Sequence, residues 1–127
     1  MNKKILIVDD EPHIRSLIEQ TLEYLEDEHG FEILSATNGE EGLATIRSEK
    51  PALVFLDVMM PLMNGYAVCR KVKEEPDLAG TIIVLLTAKG QEVDRQVGIE
   101  AGAHRYMTKP FDPDELLGLA KGILGLE

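Results

Sequence analysis

A chain of 127 residues with 44% hydrophobic and 28% charged side chains has the size and composition of one folded domain rather than of a disordered segment. Its 23 acidic residues against 13 basic ones leave a net charge of −10, which gives no general field for holding nucleic acid or an anionic membrane. One cysteine, Cys69, excludes an intramolecular disulfide and a cysteine-rich metal site; the short apolar run Ile5 to Val8 excludes a signal-peptide core or membrane span near the start, so the expected setting is the cytoplasm.

The first strand is expected at Ile5-Leu6-Ile7-Val8, apolar at every position, as strands of a parallel sheet covered on both faces are. Helix one follows from Pro12, with Ile14, Leu17, Ile18, Thr21, Leu22 and Leu25 at helical spacing and Gly30 at the exit. Phe31-Glu32-Ile33-Leu34 reads as a second strand nearer an edge. Asn38 caps a second helix that carries Leu43 and Ile46 and ends before Pro51. Leu53-Val54-Phe55-Leu56 is a central strand, and helix three starts near Gly65 with Val68 and Val72 on its apolar side. Ile82-Ile83-Val84-Leu85-Leu86 gives strand four, a thin apolar pattern from Glu92 to Glu100 gives helix four, and His104-Arg105-Tyr106-Met107 gives a fifth, edge-like strand. Helix five has the most explicit start: Asp112 as N-cap, Pro113 in the first position and Glu115 three residues after the cap, a variant of the capping box. Leu116, Leu117, Leu119, Ile123 and Leu124 supply its apolar face.

The order is a β–α unit repeated five times over residues 1–127, a single domain with no linker, internal repeat or effector domain. Right-handed crossovers turn that order into an α/β, doubly wound three-layer sandwich around a parallel five-stranded sheet. Ligands of such folds bind beyond the carboxyl ends of the central strands. There the sequence places Asp9-Asp10 after strand one, Asp57 after strand three, Thr87 after strand four and Lys109 after strand five. Two carboxylates about 4 Å apart repel by about 4 kcal/mol at an effective dielectric near 20, so three in one cleft need a cation or a raised pKa. Hard oxygen donors select Mg²⁺, Mn²⁺ or Ca²⁺ over zinc, and Mg²⁺ in particular bridges to phosphate oxygens. A carboxylate attacks phosphorus to give an acyl phosphate, and a lysine and a hydroxyl can steady the charge on the moving oxygens. Asp57, directly after a central strand, is the candidate nucleophile; the adjacent Asp9 and Asp10 are better placed to hold metal.

Taken singly, each residue has an ordinary explanation. Acidic residues favour a helix start, an aspartate forms turns, a threonine ends a strand, a lone lysine is a solvated charge and Tyr106 is a packed aromatic. His13, His29 and His104 show no metal spacing. The combination at successive strand ends is what carries the reading.

Ile5-Leu6-Ile7-Val8-Asp9-Asp10-Glu11, Leu56-Asp57-Val58-Met59-Met60-Pro61 with Asn64-Gly65, Leu86-Thr87-Ala88-Lys89 and Tyr106-Met107-Thr108-Lys109-Pro110-Phe111 resemble, over essentially the whole chain, the receiver (response-regulator) domains of two-component signal transduction, the chemotaxis regulators among them. The resemblance implies a flavodoxin-like strand order 2-1-3-4-5, for which a chemotaxis receiver is a standard example. It also implies that Asp57 is the phosphoacceptor, that Asp10, Asp57 and the Met59 backbone carbonyl hold Mg²⁺ (Mn²⁺ as the substitute) with Asp9 acting through metal-bound water, and that Thr87 and Lys109 engage the phosphoryl group. Lys109-Pro110 is then a cis peptide, Ala88 keeps the pocket open, and Met59 and Lys89 sit where such domains vary the acyl-phosphate lifetime. Thr87 and Tyr106 form the switch, which biases the surface of helix four, strand five and helix five. The implied partners are a sensor histidine kinase or histidine phosphotransfer protein and a downstream protein, with output either by protein contact as a stand-alone receiver or through an effector domain absent from this chain; the resemblance allows a phosphorylation-dependent dimer, and no direct contact with nucleic acid or membrane is expected. Such a domain phosphorylates and dephosphorylates itself and is not a multiple-turnover enzyme. The alternative is a haloacid-dehalogenase-like aspartyl phosphatase, which carries Asp-x-Asp after its first strand where this chain has adjacent aspartates; a flavodoxin would meet repulsion between Asp9-Asp10-Glu11 and the flavin phosphate. Two departures stand out. The stretch from Pro12 to His29 is about one turn long, ending in Glu26-Asp27-Glu28, and His104-Arg105 stands where an acidic pair is common.

Overall fold

The computed structural model describes residues 2–88 and 95–126. Five parallel strands, β1 (Lys4–Val8), β2 (Glu32–Ala36), β3 (Leu53–Asp57), β4 (Ile82–Ala88) and β5 (Arg105–Lys109), form one sheet in the order β2-β1-β3-β4-β5. The connecting helices are α1 (Pro12–His29), α2 (Gly39–Glu49), α3 (Gly65–Glu74), α4 (Arg95–Ala101) and α5 (Pro113–Leu124), with a 3₁₀ turn at Pro76–Leu78 before β4. The doubly wound architecture and its strand order are those expected, and the two weakly apolar strands lie at the edges.

Because the three central strands each carry a continuous apolar run, over residues 5–8, 53–56 and 82–86, the sheet buries both faces. Ile5, Ile7, Leu53, Phe55, Val84 and Leu86 point to one core, closed by Ile18, Leu22 and Leu25 of α1 and Leu116, Ala120 and Leu124 of α5. Leu6, Val8, Val54, Leu56, Ile83 and Leu85 point to the other, closed by Leu43 and Ile46 of α2, Val68, Cys69 and Val72 of α3 and Ala101 of α4. Truncating the fully buried Phe55 to alanine would cost about 3–5 kcal/mol, the usual penalty for a large buried aromatic.

Local signals explain most helix ends. Asn38 and Asn64 accept N–H bonds from Glu41 and Ala67, and Gly30, in the left-handed conformation, closes α1. The long acidic segment belongs to α1 itself, which stays helical to His29. Three expectations shift. Leu17, placed on the buried face of α1, is 37% exposed, so the buried stripe is narrower than the apolar one. At α5 the Asp112 carboxylate accepts from the Asp114 N–H at 2.8 Å, one residue earlier than a capping box requires. Strand β5 starts at Arg105 rather than His104, because the His104 ring nitrogen Nδ1 takes the Ile83 N–H at 3.1 Å in place of a backbone acceptor. Of the expected helix four, residues 92–94 lie outside the described residues, as does Lys89. The Lys109-Pro110 peptide is cis. Among the described residues, no helix is long and apolar enough to cross a membrane.

Candidate phosphoryl and metal site

At the carboxyl edge of the sheet, β1 runs out at Val8 and the next residue, Asp9, is fixed at four points. Its N–H donates to the Ala36 carbonyl at 3.2 Å, its carbonyl accepts from Arg15 Nη1 at 2.7 Å, and its carboxylate accepts from the Glu11 N–H at 2.9 Å and from Lys109 Nζ at 2.8 Å. Asp9 is therefore 0% exposed yet satisfied, as a buried charge must be. Asp57 ends β3 and is 5% exposed, with its Oδ1 3.2 Å from the same Lys109 Nζ. Asp10 is exposed beside them. One carboxylate oxygen from each of Asp9, Asp10 and Asp57 lies within 4.8 Å of the others. Behind Asp57, a Cβ on Gly65 would sit 2.6 Å from the Asp57 carbonyl oxygen and 3.0 Å from the Val58 Cα, so only glycine lets α3 begin this close to the strand end.

The electrostatics follow from this packing. Burial pushes the Asp57 carboxyl up to about 6, repulsion from Asp9 adds to the rise, and Lys109 opposes it. For Lys109, burial alone would lower the pKa, but the hydrogen bond it donates to Asp9 and the charges of Asp57 and Asp9 outweigh it and raise it, so the ammonium stays charged. The carboxylates of the cluster, with Glu11 close by, outnumber the one ammonium, so the cleft is net acidic and suits a cation. The donors are hard oxygens, without nitrogen or sulfur, and they converge at an open strand edge. They fit a small oxygen-liganded divalent ion rather than zinc.

Of the residues singled out in the sequence, the fold thus gathers Asp9, Asp10, Asp57 and Lys109. Thr87 is next to them: β3 and β4 pair Asp57 with Leu86, and Thr87, 2% exposed, is one residue further on. Ala88 pairs with Lys109 and is exposed. Met59, two residues beyond Asp57, has a largely exposed side chain (62%). Tyr106 is not in the cleft; it lies opposite Leu85 on β5 and packs against the core closed by α2, α3 and α4. Two participants escaped the sequence reading. Arg15 holds the Asp9 carbonyl, and its signal was a cation near a helix N-terminus, where the dipole disfavours one unless a specific acceptor is at hand. Glu11 approaches Lys109 at 3.9 Å. Cys69 is buried, and burial pushes its thiol up to about 12, so it is packing rather than chemistry. Two cavities, of about 250 and 320 Å³, lie toward the opposite edge, the first lined by Cys69, Lys73 and His104 among others and the second by Asn2, Lys50 and Asp77; neither includes a residue of the acidic cluster.

A doubly wound parallel sheet with a carboxylate cluster and a buried lysine at its carboxyl edge defines an α/β domain whose ligand site is charged and cation-ready. Comparison with known proteins narrows the class. The model of the response regulator receiver domain matches residues 5–121. The chain is 44% identical over 124 residues to the alkaline phosphatase synthesis transcriptional regulatory protein PhoP of Bacillus subtilis, covering 98% of this chain and 49% of that protein. Among solved structures, the beryllofluoride-activated DrrB receiver domain superposes with a TM-score of 0.84 at 35% identity, covering 98% of this chain and 99% of that one. The chemotaxis response regulator CheY4 of Vibrio cholerae superposes with a TM-score of 0.84 at 30% identity, covering 97% and 99%. This chain belongs to the response regulator receiver domain family of two-component systems. It spans about half the length of the curated relatives it matches.

Proposed function

We propose that Asp57 is the phosphoacceptor of this receiver domain and that Asp9, Asp10, Asp57 and the Met59 backbone carbonyl hold Mg²⁺. The observation that carries the reading is Lys109 Nζ poised between the carboxylates of Asp9 and Asp57, at 2.8 and 3.2 Å, on the edge where the fold binds ligands. An Asp57 oxygen attacks the phosphorus of a phosphohistidine or a small acyl phosphate; the bond to the leaving group breaks, and an acyl phosphate forms on Asp57. With its pKa near 6, the Asp57 carboxyl is mostly ionised at neutral pH and available as a nucleophile. Lys109 exchanges a carboxylate partner for a phosphoryl oxygen, and the Thr87 hydroxyl donates to another. A divalent ion held by these oxygens would supply charge neutralisation on the transferring oxygens.

The donor on this reading is a sensor histidine kinase or a histidine phosphotransfer protein, and the setting is the cytoplasm. The domain turns over its own phosphoryl group and no external substrate. Thr87 and Tyr106 relay the modification to the surface of α4, β5 and α5, which meets a downstream protein or a second copy. Intact mass after incubation with Mg²⁺ and acetyl phosphate, beside an Asp57→Asn variant and an EDTA control, tests this. One added phosphoryl, absent from both controls, is the expected result. A silent native protein that also gives no NMR response to Mg²⁺ with beryllofluoride would overturn it.

A further inference from the structure

The packing between α4 and β5 has one feature that neither the fold nor the phosphoacceptor chemistry explains. Gly98 is buried in the middle of α4, a helix of seven residues, although glycine is the poorest helix former after proline. A Cβ built there would overlap the Tyr106 hydroxyl, approach the ring carbon Cζ to 2.6 Å and reach the Leu85 Cδ1 at 2.9 Å. Real Cβ atoms essentially never come so close. The Leu85 methyl is the end of a flexible side chain and can give way. The tyrosine ring is rigid and has to swing as a unit about χ1 or χ2. Tyr106 lies directly opposite Leu85 in the β4–β5 ladder, and Val97 and Ala101 of α4 flank the same core, so α4 touches strand and ring together.

We infer that Gly98 is the positioning residue for Tyr106: its missing side chain is the seat of the phenol on α4, tying the ring's rotamer to the placement of that helix. The inference rests on the reading of Tyr106 as the switch and adds the element that holds one of its positions. With the seat filled, α4 and β5 are joined through the ring. A ring that leaves it frees α4 to shift, so Gly98→Ala expels Tyr106 from the unmodified chain and imitates part of the response to phosphorylation.

A mutant cycle over Gly98→Ala and Tyr106→Ala tests the seat on the full chain, with urea midpoints and ¹⁹F NMR of protein carrying fluorotyrosine at Tyr24, Tyr66 and Tyr106. Gly98→Ala is expected to lower the midpoint when Tyr106 is present and to leave it level or raise it in the Tyr106→Ala background, where alanine's better helix propensity is uncovered. The Tyr106 resonance is expected to move in Gly98→Ala while those of Tyr24 and Tyr66 stay. If Gly98→Ala alone fails to fold and the double variant folds, the seat is supported. Equal lowering in both backgrounds, unfolding in both, or an unmoved Tyr106 resonance would overturn it. Adding Mg²⁺ with beryllofluoride to the native chain separates the two readings: a Tyr106 resonance indifferent to that addition sinks the switch, while the seat stands or falls on the cycle.

Discussion

The two faces of the sheet divide the labour. Asp9 continues the phase of Ile5 and Ile7, Asp57 that of Leu53 and Phe55, and Lys109 that of Met107, all of which face the core closed by α1 and α5. Thr87 continues the phase of Ile83 and Leu85, and Tyr106 packs on the same side, against the core closed by α2, α3 and α4. Strand side chains alternate faces with a period of two, so this parity is fixed once the register is. Asp57, the proposed phosphoacceptor, and its counter-ion Lys109 sit over one core; Thr87 and Tyr106, the proposed switch pair, sit over the other. The two come closest at the strand ends, where Asp57 pairs with Leu86, the residue before Thr87.

Removing Lys109 attacks the chemical face hardest. Lys109→Met leaves the buried Asp9 carboxylate without its cation, and urea unfolding in EDTA is expected to show a loss of about 3 kcal/mol or more. The Tyr106 environment, over the other core, should be unchanged in the folded variant. A loss below about 1 kcal/mol would mean that Asp9 does not depend on this partner.

Asp57→Asn should act in the opposite sense. The folded chain holds the Asp57 proton up to about pH 6, whereas an unfolded aspartate releases it near 3.8. Stability from this group is thus complete below pH 3.8 and is lost as pH rises through about 6. In EDTA the substitution should change little near pH 4 and stabilise by up to about 3 kcal/mol at pH 8, with Mg²⁺ narrowing the gap. Thermal melts across pH check this, and a flat difference would show that Asp57 is not strained by its surroundings.

Thr87→Ala separates the faces. It should cost about 1 kcal/mol in urea and still accept a phosphoryl group on Asp57 by intact mass, while the NMR shifts of α4 and β5 no longer respond to beryllofluoride. Full remodelling in this variant would break the division of labour. The smallest effect belongs to His104, on the switch face. Burial and then the charge of Arg105 lower its pKa, and its Nδ1 must stay unprotonated to accept the Ile83 N–H. The unfolded chain takes up that proton near 6.5, so this face loses stability as pH falls below about 6.5, the reverse of Asp57. His104→Asn should flatten that fall in a pH series of melts.

The order of elements could be read from the sequence because each central strand has a continuous apolar run and helix ends carry local signals: Asn38 caps α2, Asp112 opens α5 through the Asp114 N–H, and Gly30 closes α1, whose start has no side-chain cap. The acidic cluster could be read too, since strand ends in this fold converge by topology. The partners between distant segments could not. Lys109 and Asp9 are a hundred residues apart, and nothing local says that the lysine bridges Asp9 and Asp57 rather than facing solvent. Gly98 is equally opaque, because a glycine inside a helix declares an absence and not the ring that fills it. The start of β5 shifted by one residue because a histidine ring replaced a backbone acceptor, a substitution that strand patterns do not encode.

The length of α1 has an orientational consequence. Its 18 residues rise about 27 Å, whereas a five-residue strand covers about 17 Å, so the helix outruns the sheet by roughly 10 Å. It starts at the edge that carries the acidic cluster and ends at the opposite one, where Glu26, Asp27 and Glu28 are all exposed. The end of the molecule away from the acidic cluster thus carries three exposed carboxylates of its own. A polyanion would be repelled from that pole, at a range set by the salt, like a hand kept from the wrong end of a tool.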